Sequence, residues 1–240
     1  MEKKAATVLI GCSHVGIKNA EKVIKELEQN NIKKGDLVAI EGLADEHVSG
    51  MKKFIRKYGF VDAAVLYLHS GKNNYSSLSL NEAFGDFNKY SVESEHVWFN
   101  FCLLDFFIEK KVRLLGLENA RLNRRFQKLT ADRMSGTELD KRKERLWRLM
   151  AVPLREKFWK NKLLSLGEQP RFILVGAGHL SALKRIVPCQ KVVDLSEKKA
   201  GLTERVKREL ELSSLRLAYR TRQAKRKIFK IRKFVTIKKQ

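Results

Sequence analysis

Proline and cysteine are scarce in this chain, which has three of each among 240 residues. The cysteines, Cys12, Cys102 and Cys189, show no CxxC spacing and form an odd set. This pattern argues against a disulfide framework. We therefore expect the chain to fold in a reducing, cytoplasmic environment.

Long apolar runs are also missing. No segment approaches the roughly 20 apolar residues that a membrane-spanning helix needs. The short apolar run after the N-terminal lysines enters a strand-like pattern at once, which is not typical of a secretory signal. The hydrophobic content of 43% is nevertheless enough for a buried core.

Acidic residues are too few to balance the basic ones. The 27 Asp and Glu against 50 Lys and Arg leave a net charge of +23. This excess predicts attraction to polyanions such as nucleic acid or an anionic membrane. The end of the chain is the extreme case, because Thr221–Gln240 contains nine cations and no acid. We expect residues 201–240 to form a basic amphipathic C-terminal helix or arm.

Three roles suit this basic end of the chain. Its apolar residues, such as Ile228 and Ile231, either pack on the domain or enter a membrane interface, which would make the protein membrane-peripheral. Its cations alternatively contact nucleic-acid phosphates, without specificity because the sequence has no DNA- or RNA-binding motif. In this alternative function the chain is a non-catalytic binding or regulatory protein that uses residues 221–240.

The sequence does contain a series of short apolar runs that are typical of buried strands. These runs are Thr7–Ile10, Leu37–Glu41, Val112–Glu118 and Arg171–His179, and a further late strand is predicted over Lys191–Leu195. A helical pattern over Lys18–Asn30 joins the first two, which indicates a parallel βαβ unit. A long charged helical region is interrupted or restarted at Pro153, since proline suits the first turn of a helix. We predict one α/β domain over residues 1–200, with a mainly parallel sheet flanked by helices.

An ionisable residue ends or closely follows four of these strands: His14, Glu41, Glu118 and His179. Both histidines belong to a Gly-x-x-His pattern, with Gly11 in the first and Gly176 in the second. Because the carboxyl ends of parallel strands share one edge of a sheet, we expect the four side chains to meet in one crevice. Small residues before each histidine leave room for a ligand.

Such a cluster supports two chemistries. Imidazole and carboxylate are ligands for Zn²⁺, Mn²⁺ or Co²⁺, which activate water for hydrolysis, and the predicted ligands are His14, Glu41 and His179. A His–Glu pair also acts without a metal, as general base for an attacking water. The sequence leaves both chemistries open, as it does the oligomeric state.

Two other residues lie near the predicted edge. His69 closes another apolar run and is either a third imidazole of the cluster or, on the preferred interpretation, an ordinary strand-end histidine. Cys12 shares a strand face with His14 if the extended conformation persists. Cys12 is either the nucleophile of a Cys–His pair or, on the preferred interpretation, a small residue that serves packing.

The combined motifs resemble the TraB/Tiki superfamily. The residues that carry the resemblance are Gly11–His14, Ile40–Gly42, Gly116–Asn119 and Val175–Leu180, and their order matches over residues 7–195. The family also places an arginine ahead of the second Gly-x-x-His motif, where this chain has Arg155. Ser181 and Ala182 depart from the family, which usually shows a further glycine soon after that motif.

The resemblance implies an α/β fold with a hydrolase-type site that cleaves a peptide or a small ester. Tiki proteins are regarded as metal-dependent proteases, and the related erythromycin esterase-like enzymes are thought to use histidine without a metal. On this resemblance, His14 and His179 are metal ligands or general bases. Glu41 and Glu118 each act as a metal ligand or as a base. Arg155 would hold a carboxylate or stabilise a developing oxyanion.

Overall fold

A computed structural model describes residues 7–14, 16–64, 91–134 and 140–196, together with Leu210, Ser213, Ser214, Leu217 and Thr221, which are helical. The strands are β1 Thr7–Cys12, β2 Leu37–Ala44, β3 Arg113–Glu118, β4 Phe172–Gly176 and β5 Cys189–Asp194. The helices are α1 Ile17–Gln29, α2 Asp45–Tyr58, α3 Ser91–Glu109, α4 Ala120–Met134, α5 Lys141–Leu149, α6 Arg155–Leu164 and α7 Leu180–Lys184. A π-helical turn, Met150–Leu154, and a 3₁₀ turn, Ala177–His179, complete the list.

The five strands form one parallel sheet in the order β3-β2-β4-β1-β5. This sheet, with helices beside it, confirms the predicted α/β class. All six residues of β1 are buried, and β4 is buried over its first four. Continuous apolar runs of this kind form strands that are covered on both faces. The parallel order gathers the carboxyl ends of all five strands along one edge.

Helices α1 and α3 pack against each other and share the hydrophobic core with the central strands. In α1 the buried residues Ala20, Val23 and Leu27 recur at helical spacing, which turns one face of the helix inward. That face packs on α3, whose Phe101, Leu104 and Phe107 are fully buried. The core therefore lies between these helices and the central strands, and it holds the carboxyl edge of the sheet in place.

Two local predictions are corrected. The second strand does not end at Glu41, because β2 continues to Ala44 through Gly42, whose φ of 88° breaks the regular pairing with β3. Pro153 does interrupt the long helical region, but it lies inside the π-helical turn rather than in a first turn. A π turn adds one residue to the helical repeat, which accommodates the missing proline N–H.

Residue contacts divide the chain into two compact units. The first unit comprises Met1–Ala120 and Trp159–Glu197, and the second comprises Arg121–Phe158 and Lys198–Gln240. Within the described part of the chain, no helix combines the length and hydropathy needed to cross a membrane. His69 and nearly all of the basic segment Thr221–Gln240 lie outside the described residues, and their predictions stay predictions.

Candidate active site

Glu41 reaches across the sheet from β2 to the end of β4. Its carboxylate is buried, and Oε2 accepts a hydrogen bond of 2.5 Å from the backbone N–H of Gly176. A Cβ at position 176 would lie 3.4 Å from that oxygen and 3.8 Å from Cδ2 of His179. The missing side chain of Gly176 therefore leaves open the space beside both groups.

His179 lies in the 3₁₀ turn that directly follows β4. Its Nε2 is 3.8 Å from Oε1 of Glu41, which is ion-pair range but longer than a hydrogen bond. The imidazole packs edge to face against the fully buried Trp159 of α6, with 4.8 Å between ring centroids. Glu41 and His179 thus form a pair in which backbone fixes the carboxylate and an aromatic ring holds the imidazole.

Glu118, the last residue of β3, is buried beside the irregular part of β2. Its Oε1 accepts a long hydrogen bond of 3.4 Å from the N–H of Gly42, the residue after Glu41. The break in pairing after Ile40 makes this contact possible, because it turns the Gly42 N–H away from the regular ladder. The second predicted carboxylate therefore lies next to the backbone that carries the first.

His14 stands at the same edge, two residues beyond the end of β1. Cys12 pairs with Gly176 in the sheet, so β1 delivers His14 beside the strand that carries His179. The His14 ring stacks on the buried Phe99 of α3, with centroids 5.1 Å apart and an angle of 13° between the planes. Each Gly-x-x-His histidine therefore has an aromatic partner on a neighbouring helix.

Cys12 is not placed for nucleophilic chemistry. The thiol is buried and lies 3.8 Å from the carbonyl oxygen of Val175, to which it donates. Burial, with the nearby negative charges of Glu41 and Asp194, raises the pKa of this thiol far above its usual range. A thiol must ionise to become a good nucleophile, so Cys12 serves packing in this arrangement.

A further cluster supports the irregular end of β2. The ammonium group of Lys162, on α6, donates to Asp45 and to the carbonyl oxygen of Gly116, while Asp45 also accepts from the Gly116 N–H. A Cβ on Gly116 would lie 2.5 Å from the carbonyl oxygen of Leu43. The three groups fix the spacing of β2 and β3 close to Glu41 and Glu118.

The described donor side chains fall short of a three-ligand metal site. Zinc sites in enzymes usually take three protein ligands. Among the described residues, no group of three or more His, Cys, Asp or Glu side chains is placed to hold a metal ion. Glu41 and His179 alone fall short of that number, so metal ligation by His14, Glu41 and His179 stays a prediction.

Arg155 belongs to the second unit. It opens α6, and its guanidinium lies over the Phe126 ring of the same unit, 5.2 Å from the centroid. Its role toward a substrate carboxylate or oxyanion stays a prediction.

Sequence reasoning missed three supporting residues of the site, Trp159, Phe99 and Lys162. The sequence shows the two aromatic residues at spacings typical of helix packing, and Lys162 as one of many cations. Comparisons with protein families, with curated proteins and with solved structures give no match for this chain.

Proposed function

We propose that the chain is a hydrolase that cleaves a peptide or ester bond, with Glu41 and His179 as its acid–base pair. The observation that carries the proposal is the orientation of the Glu41 carboxylate. One oxygen accepts the Gly176 N–H, and the other faces His179 Nε2 at 3.8 Å. A carboxylate that orients an imidazole in this way is the recurring partner of a catalytic histidine.

In the proposed mechanism His179 takes a proton from an attacking water. Because Nε2 faces Glu41, Nδ1 carries the lone pair that accepts this proton. The imidazolium that forms is stabilised by the Glu41 carboxylate, and it then donates its proton to the leaving group. Contacts of this kind are often long without substrate and tighten when substrate binds, which accommodates the 3.8 Å separation.

Direct attack by water is favoured over a covalent intermediate on Cys12. The buried Cys12 thiol has a strongly raised pKa, so its nucleophilic form is suppressed. Glu41 and His179 are themselves buried, so the proposed water would enter past Gly176, Ala177 and Gly178, which are partly exposed. The proposed reaction is therefore a single displacement at a carbonyl carbon.

The resemblance to the TraB/Tiki superfamily supports the same proposal and adds further roles. On that basis Glu118 and His14 complete the polar edge, and Arg155 binds a substrate carboxylate or the developing oxyanion. Metal dependence is a second form of the proposal, in which His14, Glu41 and His179 are the ligands. The metal-dependent form uses Glu41 and His179 as well, and elemental analysis distinguishes it from the metal-free form.

The proposal is tested with a panel of fluorogenic peptides and small esters. His179→Asn and Glu41→Gln should each lower kcat by about 10²- to 10⁴-fold, the usual contribution of acid–base catalysis. Glu168→Gln is the matched control, because this glutamate is half exposed and pairs with Arg113 away from the site. Circular dichroism shows whether each variant keeps its fold.

Elemental analysis before and after mild chelation decides between the two forms of the proposal. Activity that survives chelation supports the metal-free pair, while loss and recovery with Zn²⁺, Mn²⁺ or Co²⁺ supports ligation. The hydrolase proposal fails if folded His179→Asn and Glu41→Gln both hydrolyse the panel as fast as the Glu168→Gln control.

A further inference from the structure

The two compact units differ greatly in charge. The first unit, which contains the candidate active site, has 22 Lys and Arg against 19 Asp and Glu, a net charge of +3. The second unit has 28 against 8, a net charge of +20. Its segment Arg121–Phe158 alone has 12 cations and 5 acids. The positive charge of the chain therefore extends well beyond its C-terminal segment.

Part of this charge forms a regular pattern on α4. Arg121, Arg124, Arg125 and Lys128 occupy positions i, i+3, i+4 and i+7, so they share one face of the helix, and all four are exposed. We call these four residues the α4 stripe. Asp132 lies one turn further along the same face and is half-buried. The stripe spans about 10 Å of the helix axis.

The opposite face of α4 is packed, which fixes the direction of the stripe. Phe126 stacks on Trp147 of α5 with centroids 6.0 Å apart, and Trp147 Nε1 donates to the hydroxyl of Thr130 at 3.1 Å. Asn123, on the same face as these two, is buried. Because this face is held inside the second unit, the helix presents the stripe to solvent.

The stripe is unfavourable for the isolated helix. Like charges at i, i+3 and i, i+4 repel, and the stripe contains four such pairs. These are Arg121–Arg124, Arg121–Arg125, Arg124–Lys128 and Arg125–Lys128. A bound polyanion would remove this repulsion, whereas a neutral partner would not.

We propose that the α4 stripe binds the phosphodiester backbone of nucleic acid without reading its sequence. Three of the four residues are arginines, whose planar guanidinium pairs with phosphate through two hydrogen bonds. The span of about 10 Å brings several phosphates of one strand within reach, since they advance about 3.4 Å per nucleotide along a duplex. The proposal is independent of the hydrolase proposal.

An anionic membrane is the less suitable partner for this surface. A helix that binds a membrane interface inserts large apolar side chains. Among the side chains that the structure describes, α4 and α5 expose no large hydrophobic residue. Their apolar residues, such as Phe126 and Trp147, pack on each other instead.

The test compares two triple variants of the full chain. Arg124→Gln/Arg125→Gln/Lys128→Gln neutralises most of the stripe and leaves Arg121 in place. Lys53→Gln/Arg56→Gln/Lys57→Gln is the matched control, because it removes three exposed cations from α2 in the nearly neutral first unit. Binding of a labelled duplex DNA and a labelled RNA hairpin is measured by fluorescence anisotropy between about 50 and 200 mM salt.

The stripe variant should bind both nucleic acids at least about tenfold more weakly, and its plot of log K against log salt should be shallower by about 3. The control should change affinity less than about twofold, since the proposal assigns it no phosphate contact. Because the substitutions remove repulsion between cations of the α4 stripe, the Tm of the stripe variant should stay unchanged or rise. Equal affinity and equal salt dependence of the two triple variants would overturn the proposal.

Two further arms separate the alternatives. Lys225→Gln/Arg226→Gln/Lys227→Gln neutralises three cations of the C-terminal segment, and the proposal fails if only this variant weakens nucleic-acid binding. Vesicles that contain phosphatidylserine test the membrane. Loss of vesicle binding by the stripe variant, with unchanged nucleic-acid binding, would also overturn the proposal.

Discussion

The two Gly-x-x-His motifs look alike in sequence but differ in backbone conformation and in the neighbours of their glycines. Gly11 lies inside β1, and the chain continues extended to Cys12 before it reaches His14. Gly176 ends β4, and the chain turns at once into the 3₁₀ turn that holds His179. In the sheet Cys12, not Gly11, pairs with Gly176, so the motifs are offset by one residue.

The two glycines consequently meet different neighbours. A Cβ on Gly11 would lie 2.5 Å from Cγ of Leu180, the residue that follows His179. A Cβ on Gly176 would instead contact the Glu41 carboxylate and the His179 ring at ordinary distances of 3.4 and 3.8 Å. The first glycine lets Leu180 of α7 pack on the sheet, and the second leaves space beside the buried side chains of Glu41 and His179.

Of substitutions at the two glycines, Gly176→Ala should have the larger effect on function. The added methyl group fits sterically, and φ of this residue is −59°, so the fold should persist. The methyl group would fill the space beside Glu41 and His179 and displace a bound substrate. A misplacement near 1 Å costs about 100-fold in rate, so kcat/KM should fall by roughly that factor. Hydrolysis assays measure the loss in kcat/KM, and thermal denaturation shows whether the fold persists. Unchanged kcat/KM would show that substrate does not approach from this side.

Gly11→Ala should mainly lower stability. Its methyl group overlaps the Leu180 side chain, and overpacking of a core typically costs about 1–3 kcal/mol. Urea denaturation measures the loss. Leu180→Ala should cost less in the Gly11→Ala background than in the parent, because the smaller side chain also removes the overlap. If Gly11→Ala is as stable as the parent, the proposed packing role of this glycine is wrong.

Part of this arrangement was predictable from the sequence. The buried strands and the parallel sheet follow from the apolar runs and the βαβ pattern, and the fold prediction is confirmed. The contact of Glu41 with His179 depends on strand order, and nothing in either motif shows that β2 lies beside β4. The aromatic partners were also unpredictable, because Trp159 and Phe99 come from distant segments at ordinary helical spacing.

Trp159→Phe tests how the second histidine is held. The smaller ring should weaken the edge-to-face contact with His179 and leave unfilled volume. We expect a loss of about 1–2 kcal/mol in unfolding free energy. We also expect a lower kcat of hydrolysis, since the imidazole loses part of the ring contact that holds it. Phe99→Leu, beside His14, is the matched control for a lost aromatic partner. If both variants lose stability but Trp159→Phe keeps the kcat of the parent protein, Trp159 is only a core residue.

The smallest effect is expected from Cys12→Ala. Alanine is also the residue at this position of the second motif, where it is Ala177. Burial raises the pKa of the folded thiol, so it stays protonated in alkaline solution, while the unfolded thiol ionises near about 8.5. The unfolded state therefore binds fewer protons above that pH, and the parent protein loses stability as pH rises through it. Half a pH unit above the unfolded pKa this loss amounts to about 0.8 kcal/mol, and it is absent in Cys12→Ala.

Cys102 and Cys189 are present in both proteins, so their own contributions cancel. Urea denaturation of both proteins between about pH 7 and 9 gives the difference in slope. Identical slopes, or rapid reaction of Cys12 with a thiol reagent in the folded protein, would contradict the buried, protonated thiol and return Cys12 to consideration as a nucleophile.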